Sequence, residues 1–431
     1  MIRIASFLCL MFMVQQMDGQ QLTLDTAISI ALKNSPGLLI SKNNVHIANL
    51  NNNYGIAGGL PLVQGSSTVT QQMTTLALQS SNPNNNKTSS NAPSNNIGAG
   101  VAASLPVYSG GRINYEYKRL GVVEEQAKQY YSSRAQTLIY NVMLKYYDVV
   151  RQQGYAKTIE ASIRASQQKL DIVKQQQSVG VANDADLFQA QVDLNTQVQS
   201  LIAQELVVDQ DKSDLLSMLA LNPDSSIVIK DTIIVDKTIK MDSILTAAYL
   251  NPDMQAAYDQ IAINQYLEKE IGASRYPSAS VNLGYNYSHA YNPEGSTILN
   301  QAYGPYVGFG LTVPIFNGGI YKRQQQIAGI NVTNAQLLKD TLMLNVQATA
   351  VKNWQAYISN LKQLETAKQT FDLSGKLLNL VLMRFQYKVA TIVDVTLAQQ
   401  SFENAGFQLV NTSFAAKAAE IQLRRLASQL P

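Results

Sequence analysis

The chain has 431 residues and a formal net charge of +3, from 33 Lys and Arg against 30 Asp and Glu. Only 15% of its residues are charged, against about a quarter in an ordinary soluble domain. It shows no basic run or patch, so nothing points to nucleic acid. The two histidines, His46 and His289, lie 243 residues apart, and the one cysteine is Cys9, which leaves no metal-ligand spacing and no disulfide framework.

Residues 1–19 read as a secretory signal peptide, with Arg3 ahead of an apolar run from Ile4 to Val14 that is too short to span a bilayer. A buried N-terminal helix is the other reading of that run. Cys9 lies inside it, behind Leu8, where a lipoprotein signal wants a small residue. No later run of 18 apolar residues suggests a transmembrane helix.

Beyond residue 19 the chain is written twice. LPVYSGG (105–111) matches VPIFNGG (313–319), and DLFQAQ (186–191) matches DVTLAQ (394–399), both at an offset of 208. Upstream, Leu60-Pro61 faces Tyr276-Pro277 at an offset of 216, so the first copy carries eight extra residues, placed in the polar stretch SSNPNNNKTSSNAPSNN. Repeat 1 is then 20–221, the inter-repeat segment 222–240, and repeat 2 241–431.

Each repeat opens on a helix and continues into a β-hairpin, at about 59–108 and about 276–316. GPYVGFGLTVPIF (304–316) and SASVNLGYNYS (278–288) alternate with period two, while 62–71 and 98–108 alternate more weakly. The Asn-rich residues 82–96 read as a solvated outer loop. Charge decides what these strands face. The only formal charge from Asn43 to Gly111 is Lys87, and the only one from Tyr276 to Tyr321 is Glu294. A soluble sheet carries charges on its wet face and edges. A strand in a bilayer avoids them, because a charge at the midplane costs about 2–4 kcal/mol. Four strands cannot close a barrel and an open edge is not tolerated in lipid, so several chains must contribute to one barrel.

A long helical hairpin follows each β-hairpin, at about 111–221 and about 319–430. Proline is absent for 116 residues after both Pro106 and Pro314, and apolar residues recur at helical spacing, among them Ile159, Ile163, Leu170 and Val173. Gly180 ends the first helix and Asn183 or Asp184 caps the next, so the tips fall near 180–186 and 388–394. At the strand-to-helix joints, Pro106 and Pro314 are expected to stop the strand ladder. Gly110, Gly111, Gly318 and Gly319 let the chain turn there. The fold class is mainly α with β, duplicated.

The chain resembles the TolC-type outer-membrane efflux and secretion channels from Leu22 to Leu430. The resemblance rests on the duplicated joints, on Val179-Gly180-Val181-Ala182 leading to Asp186-Leu187 and Ala190-Gln191, and on Arg384 leading to Asp394-Val395 and Ala398-Gln399. It implies a homotrimer in the outer membrane of a Gram-negative cell, with a twelve-stranded barrel in lipid and a helical tunnel in the periplasm, around whose equator 222–240 would lie. The duct would be passive, without cofactor or metal, serving a periplasmic adaptor (membrane fusion) protein and an inner-membrane RND or ABC pump. By the same resemblance Asp186 and Asp394 belong to the constriction. Val179, Gly180, Val181, Ala182, Lys388, Val389 and Ala390 form the adaptor-contacting tips.

The chain departs from that pattern at three places. Leu397 replaces a second aspartate ring, Ala390 a gating arginine, and Lys388 the tip glycine of the second copy, which implies a one-ring, largely apolar constriction. Read as residues alone, Thr391-x-x-Asp394 and Asn183-x-x-Asp186 are helix-capping pairs, a role compatible with lining a pore. No nucleophile–base set or phosphate loop suggests an enzyme. A pore-free periplasmic coiled-coil protein is the alternative, and the charge-poor strands argue against it.

Overall fold

The computed structural model describes residues 20–79, 81–294 and 297–431, so the expected signal peptide and Cys9 lie outside the described residues. In chain order the elements are β1 (Gln20–Gln21), α1 (Leu24–Asn34), α2 (Pro36–Asn51), β2 (Leu62–Leu78), β3 (Lys87–Tyr108), α3 (Arg112–Ser178) and α4 (Asp184–Met218). After the inter-repeat segment, which holds β4 (Ile227–Val228), come α5 (Met241–Ala248), α6 (Pro252–Ala273), β5 (Ser278–Tyr291), β6 (Leu299–Thr312), α7 (Ile320–Gln386) and α8 (Ile392–Leu426).

The duplication is visible in the element bounds. Both α3 and α7 have 67 residues and both α4 and α8 have 35, each pair starting 208 residues apart. All four helices end the same way, with a left-handed residue at Gly180, Ala220, Lys388 and Ser428. The next N–H reaches back to close the last turn, as Val181 does to Gln176 O and Val389 to Arg384 O, both at 2.8 Å.

The chain divides into two compact bodies. One comprises the described residues up to Asn43, with Gln129–Gln255 and Asp340–Pro431. Its largest core packs Leu22, Ile28, Val142, Tyr146, Leu215 and Ile421. Here β1 runs parallel to β4, pairing Gln20 with Ile227, and the buried Tyr146 hydroxyl reaches the Leu22 carbonyl at 3.0 Å and Asp231 Oδ2 at 2.5 Å. The inter-repeat segment is tied to α7 and α8 through Asp236. Its N–H donates to Glu420 at 2.9 Å, its carboxylate meets Arg424 at 2.7 Å, and its carbonyl accepts from the Tyr357 hydroxyl.

The second body comprises Asn44–Lys128 and Ala256–Lys339. It holds a four-stranded antiparallel sheet in the order β2-β3-β5-β6, with β2 and β6 at the edges. Two expectations are corrected here. The outer loop of the first hairpin is not 82–96: β3 begins at Lys87, just after a 3-10 segment at Pro83–Asn85. Its Asn- and Ser-rich composition reads as loop, but pairing with β2 imposes the strand. Pro93 is accommodated because β5 pairs with β3 only from Asn95 onward, which leaves that flank open. Nor does Pro106 stop the ladder. It pairs with Ser280, and the register breaks between Pro106 and Tyr108. The pairing with β2 has already ended at Ser104, so Pro106 occupies a stretch with one neighbour. Pro314 lies beyond the end of β6.

Candidate functional site

Two regions carry the candidate function: the helix-hairpin tips in the first body and the sheet in the second. At the first tip, Gly180 has φ +77°, and Asn183 caps α4 by accepting the Asp186 N–H at 2.8 Å. At the second tip the equivalent left-handed position, φ 63°, is taken by Lys388. A side chain there costs roughly 1–2 kcal/mol against glycine. Lys388 uses its side chain to join the tips: Nζ donates to Val181 O at 2.7 Å. Gln176 Nε2 donates to Phe385 O at 3.1 Å, also between hairpins. Val179, Val181 and Val389 stand exposed around this joint.

Asp394 forms a full capping box. Its carboxylate accepts the Thr391 N–H at 2.7 Å and hydroxyl at 2.8 Å, while its own N–H donates to Thr391 Oγ1 at 3.2 Å. The Thr391 N–H, then its hydroxyl, hold the Asp394 carboxyl below the usual carboxylate range. The same carboxylate lines a groove with Arg384, Ala390 and Leu397. The Asp186 side chain takes no part in its cap among the described residues; only its N–H is used. Of the residues expected at the site, the structure therefore brings Val181 to Lys388, and packs Ala182 and Ala390 against one apolar cluster with Leu382, Phe385 and Val395.

Sequence reasoning missed what lies behind the tips. Ser162, Ser166 and Lys169 on α3 are fully buried against Glu403, Gln399 and Thr396 on α8. Gln399 Nε2 donates to Ser162 Oγ at 2.8 Å and Ser166 Oγ at 2.7 Å, and Ser162 Oγ donates to Glu403 at 3.1 Å. Lys169 Nζ donates to Asp193 Oδ2 at 2.5 Å and Thr396 Oγ1 at 3.1 Å. This strip gives the two hairpins a single register, because a slip would strand every polar partner. Its signal in the sequence is a polar set at i, i+4, i+7 (162, 166, 169) facing another at i, i+3, i+7 (396, 399, 403).

In the sheet, the register places Val281, Leu283 and Tyr285 between Phe309, Val307 and Pro305 on one side and Leu105, Ala103 and Val101 on the other. This apolar face is open: Val307 is 78% exposed, Phe309 70% and, on β2, Val63 64%. The other face is mostly small and polar, with Asn282 between Gly308 and Ser104, Asn286 between Gly304 and Gly100, and the Tyr306 ring lying against Gly284. Lys87 and Glu294, the lone charges of the two hairpins, pair with each other at 3.0 Å. The joints bend through left-handed residues, Gly110 and Gly111 after β3 and Gly318 and Gly319 before α7. A Cβ on Gly110 would also lie 2.5 Å from the Ala273 carbonyl, so the first joint admits only glycine. No helix among the described residues is long and apolar enough to cross a membrane.

The family model for outer membrane efflux proteins matches residues 27–221 and 244–429. No curated protein matches the chain in sequence. Among solved structures, the outer membrane protein VceC of Vibrio cholerae is similar, with a TM-score of 0.76 and 16% identity over 94% of this chain and 95% of that one. The CmeC outer membrane channel of Campylobacter jejuni gives 0.76 and 16% over 94% and 85%. The MtrE outer membrane channel of Neisseria gonorrhoeae, in its open state, gives 0.70 and 16% over 94% and 89%. These likenesses show a shared fold.

Proposed function

From the premise that this chain belongs to the outer membrane efflux protein family, we propose that it is the passive exit duct of a tripartite efflux or secretion system in the outer membrane. The observation that carries this reading is the sheet. It has an exposed apolar face, a mostly small and polar face, two formal charges that neutralise each other, and unpaired edges at β2 and β6. An apolar face of that extent is stable in lipid and not in water. Open edges require further copies, and three chains of four strands close a twelve-stranded barrel.

The tips supply the other end of the mechanism. Val179, Val181 and Val389 offer an apolar docking surface to the helices of a periplasmic adaptor, and an inner-membrane RND or ABC pump provides the energy. Asp394 would line the constriction while capping α8, so its charge serves both pore and helix. Leu397, beside it in the same groove and exposed, makes the rest of that ring apolar.

Planar-bilayer recording tests this. The purified protein should give stable unitary conductance with cation preference, and Asp394→Ala should lower that preference while leaving insertion intact. An absence of conductance from protein that has inserted would overturn the duct reading.

A further inference from the structure

A second candidate site lies at the foot of the sheet, in a hollow of about 370 Å³, large enough for a small polar headgroup. Its floor is backbone. Gly110 lies against Ala273, and Gln325 packs against Gly272 so closely that a Cβ there would come within 3.1 Å of the amide. Its rim carries Lys269, Arg275, Tyr115 and Tyr276. Gly110 and Tyr276 each stand two residues outside the sheet, beyond the end of β3 at Tyr108 and before the start of β5 at Ser278.

Charge around this hollow is unbalanced. Residues 109–120, 266–276 and 318–326 hold seven Lys and Arg against three carboxylates, Glu116, Glu268 and Glu270. Two of the three are spent: Glu116 on Arg112 at 2.6 Å and Glu270 on Arg119 at 2.8 Å. Among the described residues no ion pair involves the two rim cations. Arg275 donates to the Gln325 amide at 3.3 Å, and Lys269 lies over the Tyr266 ring at 5.6 Å. Two uncompensated cations converging on a concave site with tyrosines at its mouth fit a phosphate group. A Lys and an Arg serve as an ammonium and a fork donor, and tyrosines favour the headgroup level of a bilayer.

We infer that this hollow binds the phosphate of an anionic phospholipid headgroup where the sheet leaves the bilayer. The lipid source rests on the membrane reading above; the preference for a phosphate anion rests on the hollow itself. Bound there, the headgroup would neutralise Lys269 and Arg275 and fix the height of the sheet in the membrane.

The test uses the full chain in neutral detergent and short-chain phosphatidylglycerol, with phosphatidylcholine and inorganic phosphate as the other arms, read by native mass spectrometry and thermal shift. Wild type should retain phosphatidylglycerol over phosphatidylcholine, and the Lys269→Gln/Arg275→Gln double variant should lose roughly tenfold in that retention. Lys118→Gln/Lys322→Gln, which removes two of the other cations in these segments, should stay within about twofold. Equal retention by wild type and the hollow variant, or equal loss in the Lys118→Gln/Lys322→Gln variant, would overturn the site. If inorganic phosphate displaces the lipid and itself stabilises only wild type, the occupant is a soluble anion and the lipid assignment falls. Oligomer mass and conductance of the hollow variant should match wild type. If wild type itself neither assembles nor conducts, the duct reading fails, and the phosphate arm still reports on the hollow.

Discussion

Lys388 holds a backbone conformation that its counterpart Gly180 holds without a side chain to strain it. The contact with Val181 O compensates. Replacing Lys388 by alanine removes the contact and keeps the strain, whereas glycine removes both. The glycine variant should therefore hold its tip more stably than the alanine variant by about 1 kcal/mol, read as hydrogen-exchange protection of the Val389 amide. Equal protection in the two would contradict the strain. Asp394 gives a pH dependence. Its folded carboxyl is held low by Thr391, so its ionised form stabilises the tip above the ordinary carboxylate range, and that contribution is lost as pH falls through the lowered value. Protection of the first-turn amides of α8 should fall on acidification in wild type and stay flat in Asp394→Asn. Parallel loss in both would show that another group is titrating.

Packing of α3 against α4 and α8 is where the elements are most exposed to single changes. Lys169→Met leaves Asp193 without its cation and should cost about 3 kcal/mol, while adding Asp193→Leu should restore most of it. Gly406 on α8 is packed tightly against α3. A Cβ there would lie 2.4 Å from Thr158 Cγ2, so Gly406→Val should destabilise the hairpins by about 1–3 kcal/mol, measured as helix signal lost in urea. These contacts also mark what was legible. The long helices, their ends and the glycine joints could be read because proline, glycine and apolar period are local signals, repeated at a fixed offset. The strand at 87–96 could not be, because its Asn, Ser and Pro93 carry loop propensity and only the partner β2 makes it extended. The Ser162–Gln399 and Lys388–Val181 contacts join residues more than 200 positions apart, and on one helix alone their polar side chains look like an ordinary solvated stripe. Tip positions were thus readable, and the bonds that join the tips were not.

For the whole molecule, one feature outweighs the others. A sheet with Val307 and Phe309 facing outward and edges unpaired at β2 and β6 is unfinished as a monomer in water. Assembly with further copies inside a bilayer satisfies the edges and the apolar face together, and family membership points the same way. The helical hairpins are tied by a buried polar strip and end at a capping box on Thr391 and Asp394 and at an Asn183 cap, with Val179, Val181 and Val389 exposed beside them. The most direct test is the mass of membrane-extracted protein in neutral detergent, taken with negative-stain images. Three chains per particle, with a rod of about 100 Å projecting from a detergent belt, is the predicted result. A water-soluble monomer or dimer with no belt would contradict the account.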